Sequence, residues 1–288
     1  MYFKKNLLSN QKYALINNNS LINTEVKIKQ EKYELILSAV EENSKLISPY
    51  YGTFSNIRIN TTNINMIQKL VKKLFFKLSR KYQEFYLTLP PYFYNRNLNF
   101  IKEELISYGA FVEKCELNNH IECRKKIEFS RGNKKKLNKL KKEKFLFRKG
   151  KFSELREAYN IIHENRKLKG NKVSLSYIKI KNLFKNFDKH FNIWFVCNSN
   201  NENVASAITI DLVDEIRYVF YWGDKLRKDT NSPIVLMAHG LITENIKNNI
   251  SILDLGVSSE NGVINTGLKN FKNSLGAIDT EKITIGYK

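Results

Sequence analysis

Three extended runs in close succession, Asn192–Cys197, Val204–Asp211 and Glu215–Trp222, constrain this chain more than any other feature. Asn/Ser/Glu-rich and Asp-Glu turns join them, the pattern of an antiparallel meander. A helix is expected next. Asn231 or Ser232 can cap it, Pro233 suits its first turn, and Ile234–Ile246 is apolar enough to bury most of its circumference, which lays it across the sheet. Ser251–Leu255 then reads as a short strand, Gly256–Asn265 as a polar loop, Thr266–Leu275 as a helix and Lys282–Tyr287 as a last strand. Two further helices, marked by Leu155, Tyr159 and Ile162 and by Tyr177, Ile180, Phe184 and Phe187, precede the meander.

The first half alternates in the same way. Ile67, Leu70, Val71, Leu74 and Leu78 recur at helical spacing, Glu84–Leu89 reads as a strand closed by Pro90-Pro91, and Phe100, Ile101, Leu105 and Tyr108 mark a second helix ending at Gly109. Ala110–Leu117 is extended. With 288 residues, two compact units are expected. The boundary falls in a change of composition: of the 28 residues from Arg124 to Lys151, 14 are Lys or Arg, opposed only by Glu128 and Glu143. The expected division is therefore residues 1–130, a basic connecting segment 131–151, and residues 152–288. The fold class is α/β in the broad sense (α+β), each unit a mixed, largely antiparallel sheet flanked by helices. No internal repeat of 20–50 residues is visible.

Composition excludes several classes. A hydrophobic fraction of 42% with only 4 Pro and 12 Gly rules out a disordered or collagen-like chain. No apolar stretch approaches the roughly 18 residues of a bilayer-spanning helix, and the N-terminal segment lacks the apolar core of a signal peptide, so the expected compartment is the cytoplasm. Cys115, Cys123 and Cys197 lack CxxC spacing, which argues against a disulfide framework or a structural zinc. His163 and His239 have no ligand partner one helical turn away, and no metal is expected. Cys197 lies in an apolar strand with no adjacent base and reads as core. The formal charge of +21 favours anionic partners, discounted here because Lys, Asn and Ile are abundant together.

Two junctions hold the candidate residues. Between the third strand and its helix, Lys225, Arg227 and Lys228 precede Ser232 and the free amides of a helix N-terminus, which suit an anionic cosubstrate; an ordinary solvated connection has the same letters. Between Leu253 and Ala277, glycine, carboxylate and lysine concentrate. Asp254 and Glu260 can position or deprotonate an amine, Ser258 and Asn265 can hydrogen-bond a polar ligand, and Lys272 can stabilise an oxyanion or phosphate. The competing reading is a long capped loop with Lys272 on a solvated helix face. Tyr51 and Tyr92, with Tyr50, Phe54, Phe93 and Tyr94, can stack on a sugar or base, or simply pack. Arg131, Lys134, Lys135, Lys136, Lys139, Lys141, Lys142 and Lys144 can track phosphates of RNA, face an anionic membrane, flank an anionic substrate, or be solvated.

The order Asp254-Leu-Gly-x-Ser-Ser-Glu-x-Gly-x-x-Asn-x-Gly-Leu-x-x-Phe-Lys-x-x-x-Gly-Ala277 resembles the C-terminal motif of GNAT-like acyltransferases related to the FemAB group. Ser48-Pro-Tyr-Tyr-Gly-Thr-Phe54, Leu89-Pro-Pro-Tyr-Phe-Tyr94, Asn165-Arg-x-x-x-Gly170 and Ser232-Pro233 resemble its other landmarks in order, so the likeness runs along nearly the whole chain. It implies two tandem GNAT-like (acyl-CoA N-acyltransferase) domains with a cleft between them, and acyl transfer to an amine. The best-known members use aminoacyl-tRNA to build peptidoglycan bridges and carry a long helical arm, for which this sequence offers no candidate. The shorter branch that it resembles is associated with cell-surface polysaccharide biosynthesis. The resemblance therefore implies acyl-CoA as donor, with aminoacyl-tRNA as the alternative, and a nucleotide- or lipid-linked amino sugar as acceptor. It also implies a functional role for Lys272. A non-catalytic module on the same scaffold, binding nucleic acid or an anionic membrane, is the reading from a different class.

Overall fold

The computed structural model describes residues 22–49, 53–225 and 232–288. Its chain forms two compact units that are not consecutive in sequence. Among the described residues, one comprises those up to Asn118 together with Ser259–Ile264 and Thr280–Lys288; the other comprises those within Asn119–Ser258 and Asn265–Asp279.

In the first unit β1 (Ile22–Gln30) and β2 (Tyr33–Glu42) form a hairpin whose turn residue Glu31 has φ 55°. β3 (Lys45–Ser48) and β4 (Asn56–Ile59) pair successive parts of β2; β5 (Glu84–Thr88) pairs β3 in parallel and β14 (Ile278–Tyr287) antiparallel. β6 (Phe111–Glu122) follows β14 in the strand order. Helix α1 (Ile64–Lys81) starts where Asn63 Oδ1 accepts the Met66 amide at 3.1 Å, a side-chain cap. Its apolar residues at three- and four-residue spacing, Ile67, Leu70, Val71, Leu74 and Leu78, are fully buried against β1, β2, β5 and α2 (Leu98–Ser107). The Phe85 and Tyr287 rings stack across the β5–β14 pair, 5.2 Å apart.

The second unit contains the expected meander. β8 (Phe191–Cys197), β9 (Asn203–Val213) and β10 (Ile216–Asp224) are antiparallel, each extending slightly past the run read from the letters. Helix α6 (Pro233–Lys247) then crosses the sheet and returns the chain to β11 (Ile252–Val257), parallel to β10. Helix α4 (Leu155–Leu168) packs on β8, β9 and β10, and α5 (Tyr177–Asn186) packs on α4. The mixed, largely antiparallel α/β architecture is as expected.

Two segments differ from the sequence reading. Residues 131–151, expected as a connection, fold within the second unit as helix α3 (Arg131–Lys142) and edge strand β7 (Leu146–Lys149). The lysines are its exposed face, because Leu137 and Leu140 turn inward while Ser130 Oγ accepts the Asn133 amide as a cap. Residues 256–265, expected as a loop, contain the hairpin of β12 (Ser259–Glu260) and β13 (Val263–Ile264). Asn261 and Gly262 between them have φ 52° and 81°, the two left-handed residues of the tight hairpin turn that Asn-Gly favours.

The unit's core is sealed by a close approach of α6 to β7. A methyl group on Gly240 would lie 2.2 Å from the Phe147 ring, which itself stacks on Trp194 at 5.3 Å. Gly240→Ala is expected to lower the melting temperature, since overpacking costs about 1–3 kcal/mol while the gain in helix propensity is about 1 kcal/mol. Adding Phe147→Leu should recover part of the loss; a Gly240→Ala protein more stable than its parent would contradict this packing.

Candidate functional site

β10 and β11 pair at only three positions, Ile216 with Ile252, Arg217 with Leu253 and Tyr218 with Asp254. Beyond these, β10 continues to Asp224 and β11 to Val257 without pairing each other. A β-bulge between Val219 and Tyr221, on the side of β9, lies where the parallel pairing stops; such bulges bend a strand and re-aim its side chains. Peptide groups on the parted edges need other partners, because an unpaired buried peptide group costs free energy.

On β11 that partner is Lys272. It is the buried residue of α7 (Thr266–Ser274), with only 2% of its surface exposed. Its Nζ donates to the carbonyl oxygens of Gly256 and Val257, both at 2.8 Å. Gly256 has φ 72°, a left-handed conformation that glycine adopts freely. Its N–H donates to Asp254 Oδ1 at 2.9 Å while its carbonyl accepts from Lys272, so one residue links a fully buried carboxylate to a buried amine. Burial lowers the pKa of Lys272 to about 7; Asp254 opposes that fall and the charge of Arg166 adds to it. The group thus changes protonation near neutral pH.

A second set of side chains comes from α4 and the end of β10. Asn165 Nδ2 donates to Asp224 Oδ1 at 2.7 Å and to the Asp224 carbonyl at 2.8 Å. Burial pushes the Asp224 carboxyl up. The hydroxyls of Tyr221 and Ser174 share a short hydrogen bond, and burial raises Tyr221. The Arg166 charge lowers the proton affinity of Tyr221 and of Lys272 alike. A methyl on Gly256 would sit 3.3 Å from the Tyr218 hydroxyl, so that side chain also reaches the parted strands. Sequence reasoning missed Asp224, Tyr221 and Arg166. The signals were Asn165-Arg166 within one of the family-like landmarks, and the place of Tyr221 and Asp224 at the strand–helix junction read as suiting an anion.

Of the residues chosen from sequence, the structure brings Lys272, Asp254 and Ser258 to one strand end. Ser258 is fully buried and its Oγ donates to Asn119 Oδ1 at 2.5 Å; Asn119 Nδ2 in turn donates to Asn273 and Asp279. Asn265 is exposed, and its Oδ1 caps α7 by accepting the Leu268 amide at 2.9 Å. Lys225 is half-buried, its N–H bonded to the Val204 carbonyl, and Ser232 starts α6 without a side-chain cap bond. Glu260 is exposed on the β12–β13 hairpin, and Tyr92 is exposed in a short 3-10 turn; both belong to the first unit. Tyr50, Tyr51, Arg227 and Lys228 lie outside the described residues. Among the described residues, no three His, Cys, Asp or Glu side chains gather as a metal site, and no helix is long and apolar enough to cross a membrane.

No protein-family model and no curated protein matches the sequence. Solved structures do match. The crystal structure of FemX has a TM-score of 0.72 at 10% identity, over 99% of this chain and 93% of that one. A conserved protein of unknown function from Bacteroides thetaiotaomicron has a TM-score of 0.65 at 11% identity, over 100% and 94%. L-PGS from Bacillus licheniformis has 0.60 at 12% identity, over 91% and 83%. These likenesses show the fold, that of FemX, as the resemblance to the FemAB-related group implies.

The lowered pKa of Lys272 has a stability consequence. Between about 7 and the ordinary lysine value of 10.5 the unfolded chain holds a proton that the folded chain does not, so stability rises with pH across that window and is flat in this contribution below it. In urea unfolding, the stability of the parent minus that of Lys272→Met is expected to grow by on the order of 3 kcal/mol from pH 7 to pH 10. A pH-independent difference would show that Lys272 titrates as an ordinary lysine.

Proposed function

We propose that this protein transfers an acyl group from an activated carrier to an amine, with acyl-CoA as donor. The acceptor in this reading is an amino sugar of a surface-glycan precursor, nucleotide- or lipid-linked. The observation that carries it is the buried Lys272 amine, titrating near neutrality and fixed on two carbonyls where β11 parts from β10. In this reading the peptide-like arm of CoA lies along the parted ends of β10 and β11. The uncapped first turn of α6 at Ser232, with Lys225 nearby in sequence, suits its phosphates.

The reaction needs no covalent enzyme intermediate. The neutral acceptor amine attacks the thioester carbonyl, a C–N bond forms, and the tetrahedral oxyanion collapses with loss of the thiolate and of one proton from nitrogen. Lys272 in its protonated form stabilises the oxyanion, and Asp254, joined to it through Gly256, is the proton acceptor in preference to exposed Glu260. Alignment on the parted strands supplies much of the acceleration.

A second reading keeps the chemistry and exchanges the donor for aminoacyl-tRNA. The likeness to FemX, and to a domain described as part of a putative lysylphosphatidylglycerol synthetase (TM-score 0.57, 9% identity), favours it. Donor choice is separable in solution. A CoA enzyme is stabilised saturably by CoA, whereas tRNA binding weakens steeply with salt.

Acyl-CoAs and amino-sugar nucleotides presented together should give a product whose mass gain equals the acyl group. Lys272→Met should lower the rate at least about tenfold, equivalent to about 1.4 kcal/mol in barrier, with the fold retained by circular dichroism. Absence of any product together with salt-sensitive tRNA binding would move the assignment to the second reading; unchanged turnover in the variant would remove Lys272 from the site.

A further inference from the structure

The outward face of α1 is a cationic surface that the proposed reaction does not use. Its 18 residues contain no Asp or Glu. With the apolar side packed inward, Lys69, Lys72, Lys73, Lys77 and Arg80 line its outer side. They recur at three- and four-residue spacing along roughly 16 Å of one helix face. None of the five is ion-paired among the described residues; Lys73 Nζ donates to Gln30 Oε1 at 2.6 Å and Lys77 Nζ to the Lys27 carbonyl at 3.3 Å. Lys81, at the end of the helix, is by contrast neutralised by Glu41 at 2.9 Å.

An aromatic ring sits among these charges. Phe76 is 41% exposed, and it is held outward by an edge contact to Phe75 and a tilted one to Tyr108, 5.5 and 5.9 Å between ring centres. Ile64, at the start of the same helix, is 56% exposed. The lysine stems, Phe76 and Gln30 line a shallow groove of about 590 Å³ between helix and strand. Its walls are methylenes and ring, and its rim is ammonium groups.

We propose that the exposed face of α1 docks the first unit on a lipid surface bearing anionic headgroups, with Lys69, Lys72, Lys73, Lys77 and Arg80 over the phosphates and Phe76 dipping into the interface. Lysine suits such a boundary, because its long stem lies along apolar material while the charge stays in the headgroup layer. Each cation near such a surface adds a similar increment of attraction, and an aromatic residue at the boundary adds area removed from water. A single-stranded nucleic acid is matched less well, because stacking platforms for successive bases require several rings in line and this face has one. The proposal is independent of the acyl-transfer reading, since none of these residues belongs to the Lys272 site.

The test uses the full chain and sedimentation with vesicles of phosphatidylcholine alone or mixed with phosphatidylglycerol. Binding is expected only to the mixed vesicles and should weaken as salt is raised. The variant Lys69→Gln/Lys72→Gln/Lys73→Gln/Lys77→Gln should lose at least about tenfold in partitioning with an unchanged melting temperature. Lys134→Gln/Lys135→Gln/Lys136→Gln on α3 should retain binding, and Phe76→Trp should be quenched by brominated lipid beyond the parent's own tryptophans. Equal binding to uncharged vesicles, or an equal loss in the α3 variant, would overturn the proposal. So would RNA binding that depends on the α1 lysines without any binding to vesicles. Acyl transfer in solution by the α1 variant should match the parent, which separates failure here from failure of the proposed reaction.

Discussion

An amine removed from water and held by two peptide carbonyls organises the end of β11. Two parallel strands that part after three paired positions leave peptide groups without a ladder, and the Lys272 side chain, reaching from α7, takes two of them. That bond fixes the Gly256 turn, the Gly256 turn presents its N–H to Asp254, and the strand then continues into Ser258, anchored on Asn119. The cost of placing a charge there is met by lowering its proton affinity, which is the condition a group needs to act near neutral pH. The same bond that secures the strand end thus gives it chemical character.

Around this point the second unit supplies a rigid frame. The meander, with α6 on one side and α4 packed on β8, β9 and β10, positions the ends of β10 and β11 by burial of large side chains such as Trp194 and Phe195. Asn165 holds the last residue of β10 through two hydrogen bonds to Asp224, so the strand that leaves the ladder is tethered by a helix instead. The polar groups of the region are partnered to one another, and rigidity of this kind is what alignment of two reactants requires.

Much of this is legible in the letters because the relevant signals are local. Alternation and Asn-rich turns mark the meander, Ser232-Pro233 marks the start of α6, and the glycine-punctuated segment before Lys272 points to the strand end. What the letters conceal depends on neighbours in space. Lys272 reads equally as a solvated helix lysine until α7 is laid against β11. Asp224 and Tyr221 look like ordinary strand residues until Asn165 and Ser174 meet them. The basic stretch around Lys134–Lys144 looks like a connection because lysine count masks a two-leucine buried face, and the Asn261-Gly262 hairpin escapes notice because its strands are only two residues long. The opening strands, where Val26 and Ile28 oppose Leu37 and Leu35, carry an alternation diluted by charged residues.

The most direct test of the central claim is the titration of the Lys272 side chain itself, followed through its Cε and Nζ resonances in selectively labelled protein and assigned by comparison with Lys272→Met. A midpoint near pH 7 is the result this account predicts. A midpoint at the ordinary lysine value near 10.5 would mean that the amine is charged throughout the neutral range, and would contradict it.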